Sequence, residues 1–239
     1  MSRKAIWGAQ LAFVALCALA LKYHYSTAPP DQLRWILAPT TLLVELLSGK
    51  RFAFESYTGY MSSDHTFVIA APCAGVNFLI TAFLMLTLRR LWSNRFQPSE
   101  WHFIPFAAVI AYGTTLIANT ARIWLALSDL EINWLTGNQQ HRLEGIVVYF
   151  GFLLLLFLVT DRLQSTLRLL VPLGVYYGVT LAIPLLNGNH GAAFWEHFTF
   201  VLVLPLLIVL CLFVAHLVYR RTMRVQKSAY SSRRRGALV

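Results

Sequence analysis

Seven apolar runs, at 5–21, 33–48, 67–88, 103–127, 143–160, 167–186 and 197–219, fill most of this chain. Most approach the ~20 residues that an α-helix needs to cross a ~30 Å hydrocarbon core. Lipid offers a bare backbone no hydrogen bonds, so such runs must fold as helices that satisfy their own main chain. The expected fold class is all-α: a polytopic transmembrane helix bundle of six to seven spans. Composition agrees, since 57% of the 239 residues are hydrophobic and only 13% are charged, against roughly 25% charged in soluble domains. One transmembrane domain over 1–219 is expected, followed by a basic tail over 220–239.

The net charge of +10 is concentrated in a few segments between runs and in the tail. That distribution reads as a topology signal and not as a nucleic-acid surface, so a nucleic-acid partner is not expected. Arg89, Arg90 and Arg95 follow the third run, Arg162 and Arg168 follow the fifth, and Arg220, Arg221, Arg224, Lys227, Arg233, Arg234 and Arg235 follow the last. The positive-inside rule makes all three regions cytoplasmic, which leaves 49–66, 128–142 and 187–196 outside. Arg3 and Lys4 also favour the inside, yet two full spans before residue 49 would place them outside. Segment 33–48 resolves the conflict. It is short, carries Pro39 and Glu45, and is expected to be a re-entrant or interfacial helix on the outer face. Six spans with both termini inside then follow; the alternative is seven spans with an external N-terminus. The first run follows basic residues and contains Ala18-Leu19-Ala20, a signal-peptide-like pattern, but an uncleaved first span is the preferred reading. The tail is expected to be flexible and to contact anionic lipid.

Three residues at the outer ends of the runs stand out. Pro72 opens a helix well, because its missing N–H costs nothing in a first turn. Cys73 would then lie in that first turn, where unpaired N–H groups and the helix dipole favour an anion, one route to a thiolate. Gly75 would give a substrate backbone room to approach. A lone membrane cysteine ordinarily packs as a small apolar group, and Cys17 and Cys211 are read that way. Arg122 stands about 27 Å along a helix that begins near Ile104, close to the outer edge of the hydrocarbon. An arginine there either snorkels to the interface or serves a function. Asn119 is one turn away and is expected to form a polar pair with it. His141 precedes the fifth run, with Asn138 as a candidate N-cap and Glu144 three residues on to orient the imidazole. His24, His65, His190 and His197 are also placed outside, and periodicity does not rank them. A nucleophile, a base and a charge stabiliser are what acyl transfer needs. Neither HExxH nor G-x-S-x-G occurs. The three cysteines form no CxxC pair or zinc spacing, so neither a metal nor a cofactor is expected.

At these residues the chain resembles the exosortase/archaeosortase family of membrane-embedded cysteine transpeptidases, most closely the short exosortase K type. The resemblance is carried by Cys73-Ala-Gly-Val-Asn, Asn119-Thr-Ala-Arg122-Ile and His141-Arg-Leu-Glu-Gly145, in that order, and extends over about residues 30–160. It includes Leu37-Ala-Pro-Thr and Leu46-Leu-Ser-Gly upstream. It implies a thiol protease and transpeptidase of the bacterial cytoplasmic (inner) membrane, working in protein sorting at the extracytoplasmic face. The implied substrates are membrane-anchored proteins with a C-terminal PEP-CTERM-like signal: a short motif, a hydrophobic helix and a basic tail. The implied roles are Cys73 as nucleophile, His141 as general acid and base, and Arg122 as oxyanion stabiliser, with Asn119, Gly75 and Glu144 in support. Two other functions compete: a cysteine-dependent membrane acyltransferase acting on lipid, and a non-enzymatic transporter with Arg122 on its path.

Overall fold

The computed structural model describes residues 2–93, 101–128, 137–160, 166–186 and 191–236. Arg95, Arg162 and His190 lie outside them. These residues form a helix bundle with one small sheet. Helix α1 is Arg3–Thr27, α2 Arg34–Ser48, α3 Val76–Ser93, α4 Phe103–Leu127 and α5 Gly137–Thr160. Helix α6, Leu170–Tyr177, passes through a π-helical turn at Gly178–Ala182 into α7, Ile183–Leu186, and α8 is Ala192–Gly236. Among the described residues five helices are long and apolar enough to cross a membrane: Lys4–Thr27, Ala71–Trp92, Phe103–Leu127, Gln139–Thr160 and Phe198–His216. Leu170–Leu185 is apolar but shorter.

Local chemistry sets the boundaries. The Ser2 side chain accepts from the Ala5 N–H and caps α1. Pro29 and Pro30 prevent α1 from continuing, since proline lacks the N–H and restricts its predecessor. Helix α2 ends at Gly49, whose φ of +71° is the left-handed cap that glycine adopts freely. Pro39 inside α2 cannot donate to the carbonyl of Trp35, four residues back. The Tyr112 hydroxyl of α4 supplies the missing hydrogen bond, donating to that carbonyl at 2.6 Å, and the two rings stack with centroids 6.0 Å apart. The buried hydroxyls of Thr40, Thr87 and Thr115 likewise donate to carbonyls one turn back.

Helices α1 and α3 are antiparallel neighbours. Trp7 Nε1 donates to the Leu91 carbonyl at one end, and Lys22 Nζ donates to Asn77 Oδ1 at the other. Phe150, Leu153, Phe157 and Met85 are among the fully buried core residues, whereas Leu16, Leu19, Val109 and Val159 are exposed on the outside of the bundle. A lipid-facing surface has this character, because tails are as apolar as the core.

Several expectations need correction. Segment 49–66 was expected only as an outer loop. It carries β1 (Phe52–Glu55) and β2 (Gly59–Ser62) of an antiparallel sheet, which β3 (Val68–Ile69), at the start of the run expected over 67–88, completes in the order β1-β2-β3. Gly59 at φ +119° is obligatory, since a Cβ there would lie 2.5 Å from the Ile69 carbonyl oxygen. Asn138 lies inside α5 and not at its cap. The tail expected to be flexible continues α8 as far as Gly236, because nothing between Arg220 and Tyr230 breaks a helix. Segment 33–48 is a helix of 15 residues whose two ends meet the same strand. The Arg34 guanidinium lies 4.5 Å from the Phe54 ring centroid, and the Glu45 carboxylate accepts from the Phe52 N–H at 2.7 Å.

Candidate active site

Cys73 sits in a tight turn and not in the first turn of α3. Ala71–Ala74 form a 3-10 turn closed by the Cys73 N–H donating to the Ala70 carbonyl at 2.8 Å. Gly75 then takes φ +69°, which reverses the chain before α3 starts at Val76. Pro72 does open a helical turn, as its chemistry dictates, but Gly75 ends it. The space left by the absent side chain of Gly75 is taken by Asn119, since a Cβ there would stand 3.1 Å from Asn119 Cγ. Asn119, 0% exposed, uses its Nδ2 to donate to the Cys73 carbonyl.

Helix α4 presents Asn119 and Arg122 on one face, one turn apart. Among the described residues no hydrogen bond joins the two directly, and a third residue bridges them. The Tyr149 hydroxyl of α5 donates to Asn119 Oδ1 at 2.8 Å and accepts from Arg122 Nη1 at 3.2 Å. The other terminal nitrogen, Nη2, lies 2.8 Å from His141 Nε2. A guanidinium only donates, so this imidazole offers its lone pair at Nε2 and carries its proton on Nδ1. Arg122 Nε is buried without a hydrogen-bond partner among the described residues. Gly145 makes room for it, since a Cβ there would lie 3.3 Å away. His141, Gly145 and Tyr149 are spaced by four residues, so α5 presents all three along one face.

Among the described residues Glu144 makes no hydrogen bond to the imidazole but lies within electrostatic range of it. Its carboxylate accepts from Gln140 Nε2 at 2.9 Å. Among the described residues no hydrogen bond joins the Cys73 sulfur to His141. Arg122, Tyr149 and Tyr25 lie within electrostatic range of that sulfur, and Cys73 itself is half-buried. The resting arrangement is therefore one hydrogen-bonded chain, from the Cys73 carbonyl through Asn119, Tyr149 and Arg122 to His141.

Beside this chain is a cavity of about 250 Å³. Its lining includes Tyr25, Gly75, Arg122, His141, Tyr149 and Thr180. Thr180 belongs to the π-helical turn, a distortion that recurs at functional sites. Tyr25 and Tyr149 did not stand out in the sequence. The available signal was the His141, Gly145, Tyr149 spacing on one helix face. Arg122 and His141 border this space directly, whereas the Cys73 turn reaches it through Pro72 and Gly75 on either side of the cysteine. No protein-family model, curated protein or solved structure matches the chain.

Proposed function

We propose that this chain is a membrane-embedded cysteine transpeptidase of the exosortase kind, processing C-terminal sorting signals of membrane-anchored proteins. The observation that carries the reading is the single hydrogen-bonded chain linking the Cys73 turn, Arg122 and His141. These residues come from separate elements and are the ones that the motifs single out. The topology that goes with it has six crossings, both termini inside and the cavity at the outer face of the bacterial inner membrane.

The substrate helix enters laterally from lipid, and the bond next to it reaches the cavity. The Cys73 sulfur attacks the scissile carbonyl carbon, His141 Nε2 gives up its hydrogen bond to Arg122 Nη2, and the thiol proton passes through water to the freed lone pair. The unbonded N–H groups of Arg122 receive the oxyanion as it forms. His141 returns the proton to the leaving amine, the C–N bond breaks and the helix with its basic tail departs. A thioester remains on Cys73. An external amine or water attacks it, giving a new amide or an acid and regenerating the thiol.

The test compares the membrane proteome of the native host with that of a Cys73→Ala strain. Proteins that keep a hydrophobic C-terminal tail only in the variant are the expected result, and their sequences define the signal. A phenotype with every C-terminus unchanged would remove peptide cleavage and favour acyl transfer to lipid. Wild-type function in Cys73→Ala would remove both and leave a transporter.

A further inference from the structure

Two hydrogen-bonded pairs make up the site, and one hydroxyl joins them. Arg122 holds His141, and Asn119 holds the carbonyl of Cys73. The Tyr149 hydroxyl accepts from the first pair and donates to the second. Among the described residues no other hydrogen bond connects them. The ring is held as firmly as the hydroxyl. Phe78, in the first turn of α3, stacks on it with centroids 5.1 Å apart and planes 16° apart. The Arg122 guanidinium lies 5.5 Å from the ring centroid on the same residue. Tyr149 thus registers α5 against α4 and against the start of α3 together.

We infer that Tyr149 is a positioning residue whose hydroxyl fixes the distance between the Arg122 charge and the Cys73 turn. The inference rests on the reading of Cys73 as the nucleophile and adds a residue that no sequence motif marks. The hydroxyl is committed on both sides, donating once and accepting once, so it acts through Arg122 and Asn119. Its value lies in geometry: a displacement of about 1 Å at a reacting group can cost on the order of 100-fold in rate.

Phenylalanine at 149 keeps the ring and its stacking and removes only the bridge. The test uses the purified full-length protein in detergent micelles, with iodoacetamide as probe. The alkylation rate at Cys73 reports how the turn presents its sulfur beside the Arg122 guanidinium. Rates are measured by peptide mass spectrometry at Cys73, Cys17 and Cys211 in the wild type, Tyr149→Phe, Asn119→Ala and the double variant. Alkylation of Cys73 is expected to slow by roughly 3- to 10-fold in each single variant and no further in the double, because both cut one path. Cys17 and Cys211 should keep their wild-type rates.

An unchanged or faster Cys73 rate in Tyr149→Phe overturns the inference. So does a multiplicative double variant, or a change at all three cysteines, which would make the hydroxyl a support of the whole bundle. In the native host, Tyr149→Phe should retain part of the tails that Cys73→Ala retains. Absence of retained tails in Cys73→Ala would sink the proposed function while leaving the alkylation test standing. Retained tails in Cys73→Ala, with full processing and unchanged alkylation in Tyr149→Phe, would sink this inference alone.

Discussion

Arg122 is the residue on which both halves of the site converge, and its planar fork is what lets it serve them. One terminal nitrogen reaches Tyr149 and the other His141. Lysine keeps the charge but offers a point donor on a flexible stem. Arg122→Lys is therefore expected to fold and to lose processing by about 100-fold or more, the scale of losing a preorganised oxyanion donor; the fraction of retained tails in the host reads it. Gly75 is a second sensitive position. Alanine there must hold φ near +69° with its Cβ 3.1 Å from Asn119, which costs about 1–2 kcal/mol for the backbone alone. Gly75→Ala should lower the thermal unfolding midpoint in micelles and reduce processing with it. Cys73, Arg122 and His141 stood out in the sequence because a thiol, a guanidinium and an imidazole at the ends of apolar runs need a reason to be there; the structure joins Arg122 to His141 and reaches Cys73 only through its carbonyl. Tyr149 was not legible. It is one of ten tyrosines, an ordinary occupant of an apolar helix, and only its partners distinguish it. Glu144 was placed beside the imidazole on spacing alone; it lies within electrostatic range of His141 while its carboxylate accepts from Gln140.

At the scale of elements, the long helices were legible and the short pieces were not. Apolar runs of membrane-spanning length leave the backbone little choice, so each expected run overlaps an observed helix, although the run over 67–88 opens with β3 and the Cys73 turn before α3 starts at Val76. The ends differ where polar residues continue a helix, as at the start of α5 and the end of α8. The sheet was missed because its strands are four, four and two residues long, too short to show an alternating pattern. Its turn carries a local pH sensor. The Asp64 carboxylate accepts from the hydroxyls of Ser62 and Thr66, the Thr66 N–H and Lys50 Nζ. These hydrogen bonds, Ser62 foremost, hold its carboxyl well below the usual carboxylate range. The unfolded chain therefore binds this proton more readily than the folded one. The contribution is present above the ordinary carboxylate range, about pH 4, and is lost as pH falls through the depressed folded-state value. Asp64→Asn should flatten the acid limb of unfolding curves recorded from pH 6 downward while leaving the value at pH 7 lower than wild type. An unchanged acid limb would mean that the turn does not couple to folding.

For the molecule as a whole, the decisive quantity is which side of the membrane the cavity faces. The C-terminal end of α1 meets the N-terminal end of α3 through Lys22 and Asn77. Both ends of α2 return to the sheet, and the sheet leads directly into the Cys73 turn. Lys22, α2, the sheet and the candidate site therefore share one end of the bundle, while Trp7 and Leu91 mark the other. Arg89 and Arg90 stand at that other end of α3, and the positive-inside rule puts such residues in the cytoplasm. The consequence is a sidedness that depends on no knowledge of the substrate. Single cysteines introduced for Ser26 and Thr58 in a chain lacking Cys17, Cys73 and Cys211 should both react with a membrane-impermeant maleimide in intact spheroplasts, and neither should react in inverted vesicles until detergent is added. Reaction of both from the cytoplasmic side would invert the bundle and remove sorting at the outer face. Reaction of position 26 from one side and 58 from the other would make α2 a true crossing. That outcome would also contradict the hydrogen bond from Phe52 to Glu45 and the stacking of Arg34 on Phe54, since a helix that crosses cannot keep both ends at one strand.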